Sequence, residues 1–251
     1  MLTYAYCVIA SIRRPRPGRP AGVPGASRVR LLDLDKPLYL AVADVPAREY
    51  GERAINAHLS DLEWVSRAAV AHEAVVEGFA GADAVLPMKL FTIFTSDERA
   101  VAHVAANRAR IRSAVKRVSH HDEFGVRVVL DRTRAAASRT AAVVRRGRGA
   151  AYLTRKKAQH DAAAELSERA RETVSDLFER LAQRAREAER RSASELPVPD
   201  GPLLLDAAFL IPRVRARSFR ALVAREARAL AKSGYGLTLT GPWPPYTFVR
   251  E

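Results

Sequence analysis

The chain has 251 residues, 48% apolar and 28% charged, with 42 Lys plus Arg against 28 Asp plus Glu and a formal net charge of +14. That length suits one large domain or two small ones, and the apolar share excludes intrinsic disorder of the whole chain. The single cysteine, Cys7, excludes an internal disulfide framework and any CxxC zinc or redox motif, which fits a reducing compartment with the cytoplasm as default.

Thr3 to Ile12 (TYAYCVIASI) mixes aromatic and β-branched residues over the length of a strand. No apolar run approaches the roughly 20 residues that span a bilayer, and the apolar start lacks the basic region that precedes a signal peptide core. Ser11 to Ser27 interleaves proline, glycine and arginine, so it predicts a mobile loop. Arg28 to Leu34 and Pro37 to Val45 are the next extended segments. From Ile55 to Phe79 apolar residues recur at steps of three and four, which predicts one helical face stopped by Gly81. Ala84 to Phe94 (AVLPMKLFTIF) reads as a single buried strand. Thr95 and Glu98 have capping-box spacing, and a helix is predicted from Asp97 to Val118, followed by a strand at Phe124 to Leu130. Strands and helices alternate over residues 1–130, the pattern of an α/β sandwich.

Residues 131–149 are rich in Arg, Ala and Ser and end in RRGRG, which places a linker there and a second domain over 150–251. Leu166, Ala170, Val174, Leu177, Leu181, Ala185 and Ala188 form a near-heptad stripe, predicting a long amphipathic helix from Ala150 to Arg191. About 40 residues of helix span roughly 60 Å, longer than a small domain, so part of it is expected to project as an interaction element. Prolines and glycine at Leu196 to Pro202 end it. A strand at Leu203 to Ile211, a helix at Ser218 to Lys232 and a strand at Tyr235 to Leu239 complete an α+β unit.

The search for chemistry returns incomplete motifs. His72-Glu73 opens like HExxH, but Val76 stands where the second zinc ligand belongs. Gly147-Arg148-Gly149 begins a GxGxxG that fails at Tyr152, and neither a GxxxxGK[ST] loop nor a GxSxG elbow is present. Cys7 reads as a buried structural thiol, His72 as a core or boundary histidine, and His120-His121 as loop residues. No catalytic, cofactor-binding or metal-ligating residue is therefore assigned, and no small-molecule substrate, cofactor or membrane is expected. Arginines cluster at Arg13 to Arg30 and again from Arg145 to Lys157, where phosphates could be neutralised. Neither cluster is interleaved with base-stacking aromatics, so a solvated face is the better reading of both.

The tail Gly241-Pro242-Trp243-Pro244-Pro245-Tyr246-Thr247-Phe248-Val249 is rigid and aromatic, and is expected to pack back against its domain. At this tail the sequence resembles the gas vesicle protein F and gas vesicle protein L family (GvpF/GvpL). Three further blocks agree: the early strand with Tyr4 and Tyr6, Ala71 to Val75 followed by Val85 to Phe94, and Gly149 to Leu153. Phe124-Gly125-Val126 departs from the family's usual Trp-Gly-Val, and the loop from Arg13 to Arg30 looks like an elaboration.

The resemblance implies a two-domain fold, an N-terminal ferredoxin-like α/β unit and a C-terminal α+β unit with long helices. It also implies a non-enzymatic, minor structural component of gas vesicles, the cytoplasmic shells that give buoyancy. Its partners would be the shell protein, gas vesicle protein A, and other gas vesicle accessory proteins, and it would act in gas vesicle assembly by preventing shell-protein aggregation during nucleation. The alternative drawn from charge is a basic nucleic-acid-associated or general adaptor protein. Candidate interaction or family-motif residues are Leu86, Pro87, Phe91, Phe94, Tyr152, Val174, Leu177, Trp243, Pro244 and Tyr246. The candidate surfaces are the edge of the N-terminal sheet and the helix stripe from Leu166 to Leu181.

Overall fold

The computed structural model describes residues 1–18, 21–130, 168–191 and 202–249. They form two compact units, Met1–Asp122 with Trp243–Glu251, and Glu123–Pro242. Both units combine an antiparallel sheet with helices, the α+β class expected.

In the first unit, β1 (Leu2–Ala10), β2 (Arg30–Asp33), β3 (Leu38–Val45) and β4 (Ala84–Pro87) are ordered β2-β3-β1-β4, and β5 (Ile93–Phe94) also pairs with β1. β1 and β3 are the central strands and are buried almost throughout, which is why they read as continuous apolar runs. The register of β1 against β3 shifts between Ala5 and Cys7. Tyr6 is the extra residue of that bulge, which lets Tyr4, Tyr6, Cys7 and Ile9 all enter one core with Trp64, Val75 and Phe79. Cys7 is fully buried and burial pushes its thiol pKa up, so the thiolate is suppressed.

Three segments predicted as continuous are broken, each for a local reason. After a short α1 (Ala47–Tyr50), the stripe from Ile55 to Phe79 is divided between α2 (Glu52–His58) and α3 (Leu62–Glu77). Asp61 caps α3 by accepting hydrogen bonds from the Glu63 and Trp64 amides, and the break turns Leu59 and Leu62 out to solvent. The helix over Asp97–Val118 is α4 (Asp97–Ala106) and α5 (Arg108–Val118), parted at Asn107, whose side-chain amide donates to the His103 carbonyl at 2.9 Å. The cap of α4 is Ser96, one residue beyond Thr95, accepting from the Arg99 amide.

The third break divides Ala84–Phe94. Cys7 pairs with Pro87 and Tyr4 with Ile93, so six steps along this segment oppose three along β1. The surplus loops out between Met88 and Thr92, and Phe91 takes φ +65°, which no pleated strand accommodates.

The loop expected to be mobile is anchored where it returns to the sheet. Tyr6 Oη accepts from the Val23 amide at 3.1 Å, Tyr50 Oη donates to the Pro24 carbonyl at 2.7 Å, and Val23 and Val29 are buried. Gly22 is required there, because a Cβ would sit 2.5 Å from Tyr6 Oη.

In the second unit, β6 (His121–Leu130), α6 (residues 168–182), β7 (Glu187–Arg190), β8 (Leu203–Pro212), α7 (Ala216–Ala231) and β9 (Tyr235–Trp243) form a sheet ordered β7-β8-β6-β9. The helix predicted to Arg191 ends at residue 182, and Glu187–Arg190 instead pairs antiparallel with β8, Glu187 opposite Leu210. Ala170, Val174, Leu177 and Leu181 are buried with Phe124, Phe209 and Phe219, so this stripe is core and does not project. β9 runs past the predicted Leu239 to Trp243, tolerating Pro242 because it is an edge strand.

The linker at 131–149, Tyr152, Leu166 and the start of the long helix lie outside the described residues. The division expected at that linker differs from the packing in two places. Residues from Glu123 onward belong to the second unit although they were grouped with 1–130, and the tail from Trp243, grouped with 150–251, packs in the first.

Candidate functional site

Tyr4 organises the first unit. Its hydroxyl lies 3.2 Å from the Phe91 amide, which donates to it, and 2.9 Å from His72 Nδ1. The hydroxyl and Nδ1 are hydrogen-bonded, and burial of the ring disfavours the imidazolium. Burial pushes the His72 pKa down to about 4, partly offset by the Met88 backbone. Phe91 stacks on Trp64 with centroids 5.3 Å apart and planes at 16°, and Trp64 stacks on His58 at 4.5 Å. Ring stacking and the amide bond together fix the left-handed backbone at Phe91.

Tyr4→Phe strips partners from a main-chain amide and a buried imidazole. The variant is expected to lose about 1–3 kcal/mol of unfolding free energy in a urea titration. The histidine adds a pH dependence of definite sign. Between about 6.5, its ordinary value, and about 4, the unfolded chain takes up a proton that the native chain refuses. Stability is therefore lost as pH falls through that window, by about 2 kcal/mol between pH 7 and pH 4.5 relative to His72→Gln, measured by unfolding both proteins at those two pH values.

The looped-out Met88–Leu90 stands as a ridge between two clefts. One, of about 680 Å³, has Val8, Leu86, Pro87 and Met88 on the sheet side and His103, Asn107, Arg110, Ile111 and Ala114 on the α4–α5 side, with Val249 of the tail at its border. The other, of about 390 Å³, lies between α3 and the ridge, lined by Ala69, His72, Glu73, Leu90 and Tyr246. The tail is set by burial of Pro244, Pro245 and Phe248, and the Arg117 guanidinium approaches the Phe248 carbonyl at 3.5 Å. Among the described residues no group of three His, Cys, Asp or Glu side chains gathers as a metal site. The arrangement offers one cleft of mixed apolar and polar lining, a smaller cleft that is mainly apolar, and a buried aromatic support.

Of the residues singled out from sequence, Leu86, Pro87 and Tyr246 line these clefts, with Pro244 buried in the tail beside them. Phe91 forms the base of the ridge. Phe94 is half-buried, its ring 5.3 Å from His103, and Trp243 is half-buried where β9 meets the tail. Val174 and Leu177 are in the core of the other unit, and Tyr152 is outside the described residues. Sequence reasoning missed Arg110, Ile111 and Ala114. Their signal was Asn107, which ends α4 and lets α5 bring these positions to the cleft. Two arginines of the first basic cluster are already paired, Arg14 with Asp33 and Arg30 with Asp44 and Asp97, the latter both at 2.8 Å.

The blocks from the N-terminal strand, α3, the ridge and the C-terminal tail thus converge on one region although they are far apart in sequence. The family model for the gas vesicle synthesis proteins GvpL/GvpF matches residues 2–250. The chain belongs to the GvpL/GvpF family. Gas vesicle protein L of a Streptomyces species is 28% identical over 98% of this chain and 92% of its own length. The crystal structure of GvpF from an Anabaena species superposes with a TM-score of 0.71 at 18% identity, covering 100% of this chain and 96% of that one. GvpF from Microcystis aeruginosa gives 0.67 at 15%, covering 100% and 99%. These two likenesses show the GvpF fold. Membership gives this GvpL/GvpF chain a gas vesicle accessory role, in a family of structural and accessory proteins and not of known enzymes.

Proposed function

We propose that this GvpL/GvpF chain acts in the cytoplasm as a non-enzymatic component of gas vesicle assembly, binding the major shell protein, gas vesicle protein A, and keeping it from aggregating during nucleation. The family match across residues 2–250 carries the reading. A shell subunit that must bury apolar faces and strand edges against copies of itself is prone to premature association, and an accessory protein that covers such surfaces restrains it. The clefts on either side of Met88 offer apolar surface suited to that task, on a scaffold fixed by the Tyr4–His72–Phe91 contacts. The chain is tested by deleting its gene in a vesicle-forming host. Vesicles are expected to be lost or malformed and restored by the full chain. Normal vesicles in the deletion strain, together with absence of the chain from purified vesicles, would overturn the reading.

A further inference from the structure

Main-chain groups left open along a sheet edge are specific binding material, because an extended backbone is what satisfies them. The edges of the two sheets differ in how they are protected. β2 has four residues and carries Arg30 and Asp33, and β4 has four and ends at Pro87. β5 has two residues, and β7 has four, of which Glu187, Glu189 and Arg190 are charged. Shortness, charge and proline all keep an edge from pairing with another chain. β9, the other edge of the second sheet, has nine residues and none of them is charged. Among the described residues its one partner strand is β6, and no main-chain hydrogen bond outside the sheet involves residues 235–241. Gly241, at φ +101°, and Pro242, which has no N–H, close the ladder, so the open edge is residues 235–240.

The side chains of β9 select the kind of strand that fits. Thr238 and Thr240 are exposed on one face, while Leu237 and Leu239 lie half-buried on the other against the core of the second unit. An incoming strand with apolar residues at every second position extends that core past the two leucines, and a charge placed there would be buried without a partner. Its other face meets the threonines, which pair well with hydroxyl and β-branched residues across strands. The formal net charge of +14 sets two copies of the chain against each other, which favours a different protein as the source of the strand. We infer that the free edge of β9, over residues 235–240, is a β-augmentation site for an uncharged extended segment of a partner protein, apolar at alternate positions with Thr or Ser between them. This rests on the assembly reading for its biological setting, and adds where a partner segment is held and of what kind it is. The edges of the first sheet, expected from sequence as an interaction surface, are too short and too well protected for the same role.

The probe is a seven-residue peptide of alternating valine and threonine with a polyethylene glycol tail for solubility, and its control is the same peptide N-methylated at two successive central amides. Successive amides point to opposite edges of a strand, so the control keeps every side chain and loses a donor on both edges. Each is titrated against the full chain. The parent peptide is expected to bind about tenfold more tightly than the control, and to slow amide hydrogen exchange in residues 235–240 while leaving β2 unchanged. Thr238→Lys combined with Thr240→Lys puts two cations beside the incoming strand, and is expected to weaken the parent peptide about fivefold with an unchanged far-UV circular dichroism spectrum. Equal binding of the two peptides, or protection that falls outside β9, would overturn the proposal. So would a chain that dimerises by itself with β9 protected from exchange, since the edge would then belong to a second copy. Failure of the edge is distinguishable from failure of the assembly reading. If the peptides behave as expected but the chain does not co-purify with the shell protein, only the assembly reading fails. If the chain co-purifies and the two peptides bind alike, only the edge fails.

Discussion

Leu177→Ala is expected to lower the unfolding free energy of the second unit by about 2–5 kcal/mol, because it opens a cavity that the surrounding core cannot fully close. Leu177 is completely buried, and it packs in one cluster with Phe124, Val174, Leu181, Phe209 and Phe219. Leu177→Asp is expected to leave no folded second unit, since the carboxylate would be buried among apolar side chains with no cation beside it. Val214→Ala, at a position 92% exposed, is the control and should stay within about 0.5 kcal/mol of the parent. Trp64 lies in the first core whereas Trp243 ends β9 of the second sheet, so the loss is followed by far-UV circular dichroism, which reports both units. A folded Leu177→Asp protein that had lost only partner binding would return this stripe to the surface, against the packing observed.

The second large effect concerns charge inside the second sheet. Glu123 is 3% exposed, and its carboxylate accepts from Arg191 Nη2 at 2.6 Å. The same guanidinium lies 3.5 Å from Asp206, which also accepts from Arg127 Nε at 3.1 Å, while the Arg191 amide donates to the Asp206 carbonyl at 2.8 Å. One arginine at the end of β7 thus serves two buried carboxylates. Arg191→Ala leaves Glu123 buried without its guanidinium and is expected to cost about 3–5 kcal/mol in equilibrium unfolding. Arg191→Lys keeps a charge but loses the planar fork, so an intermediate loss is expected. A cost of Arg191→Ala below about 1 kcal/mol would show that the pair contributes nothing net.

Much of the fold was legible where side-chain pattern and structure share one cause. β1 and β3 are apolar and β-branched because both faces are buried, and the stripe of α6 is apolar because it meets the core of its own unit. The breaks were not legible from periodicity, since each depends on a short polar side chain or one backbone angle. Asp61 and Asn107 divert backbone hydrogen bonds inside otherwise continuous stripes, and Phe91 adopts a left-handed conformation that no apolar pattern announces. Glu187–Arg190 contains no β-branched residue, and its strand conformation comes from pairing with Leu210 to Ala207. The tail was expected to pack against its own C-terminal domain and instead belongs to the first unit, which depends on the path of the whole chain. For the candidate site, the sequence marked Leu86, Pro87 and Tyr246 through a family resemblance. Why they belong together is visible only once the ridge at Met88–Leu90 separates the two clefts.

The central claim is that this GvpL/GvpF chain binds the shell protein and holds it back from aggregation. Co-expression of the two proteins, with a tag on the full chain, followed by high-speed sedimentation and affinity capture, tests that directly. The account predicts that the shell protein stays in the supernatant and elutes with the tagged chain, and that it pellets when the chain is omitted. Shell protein that pellets equally in both cases, with none captured on the tagged chain, would contradict it.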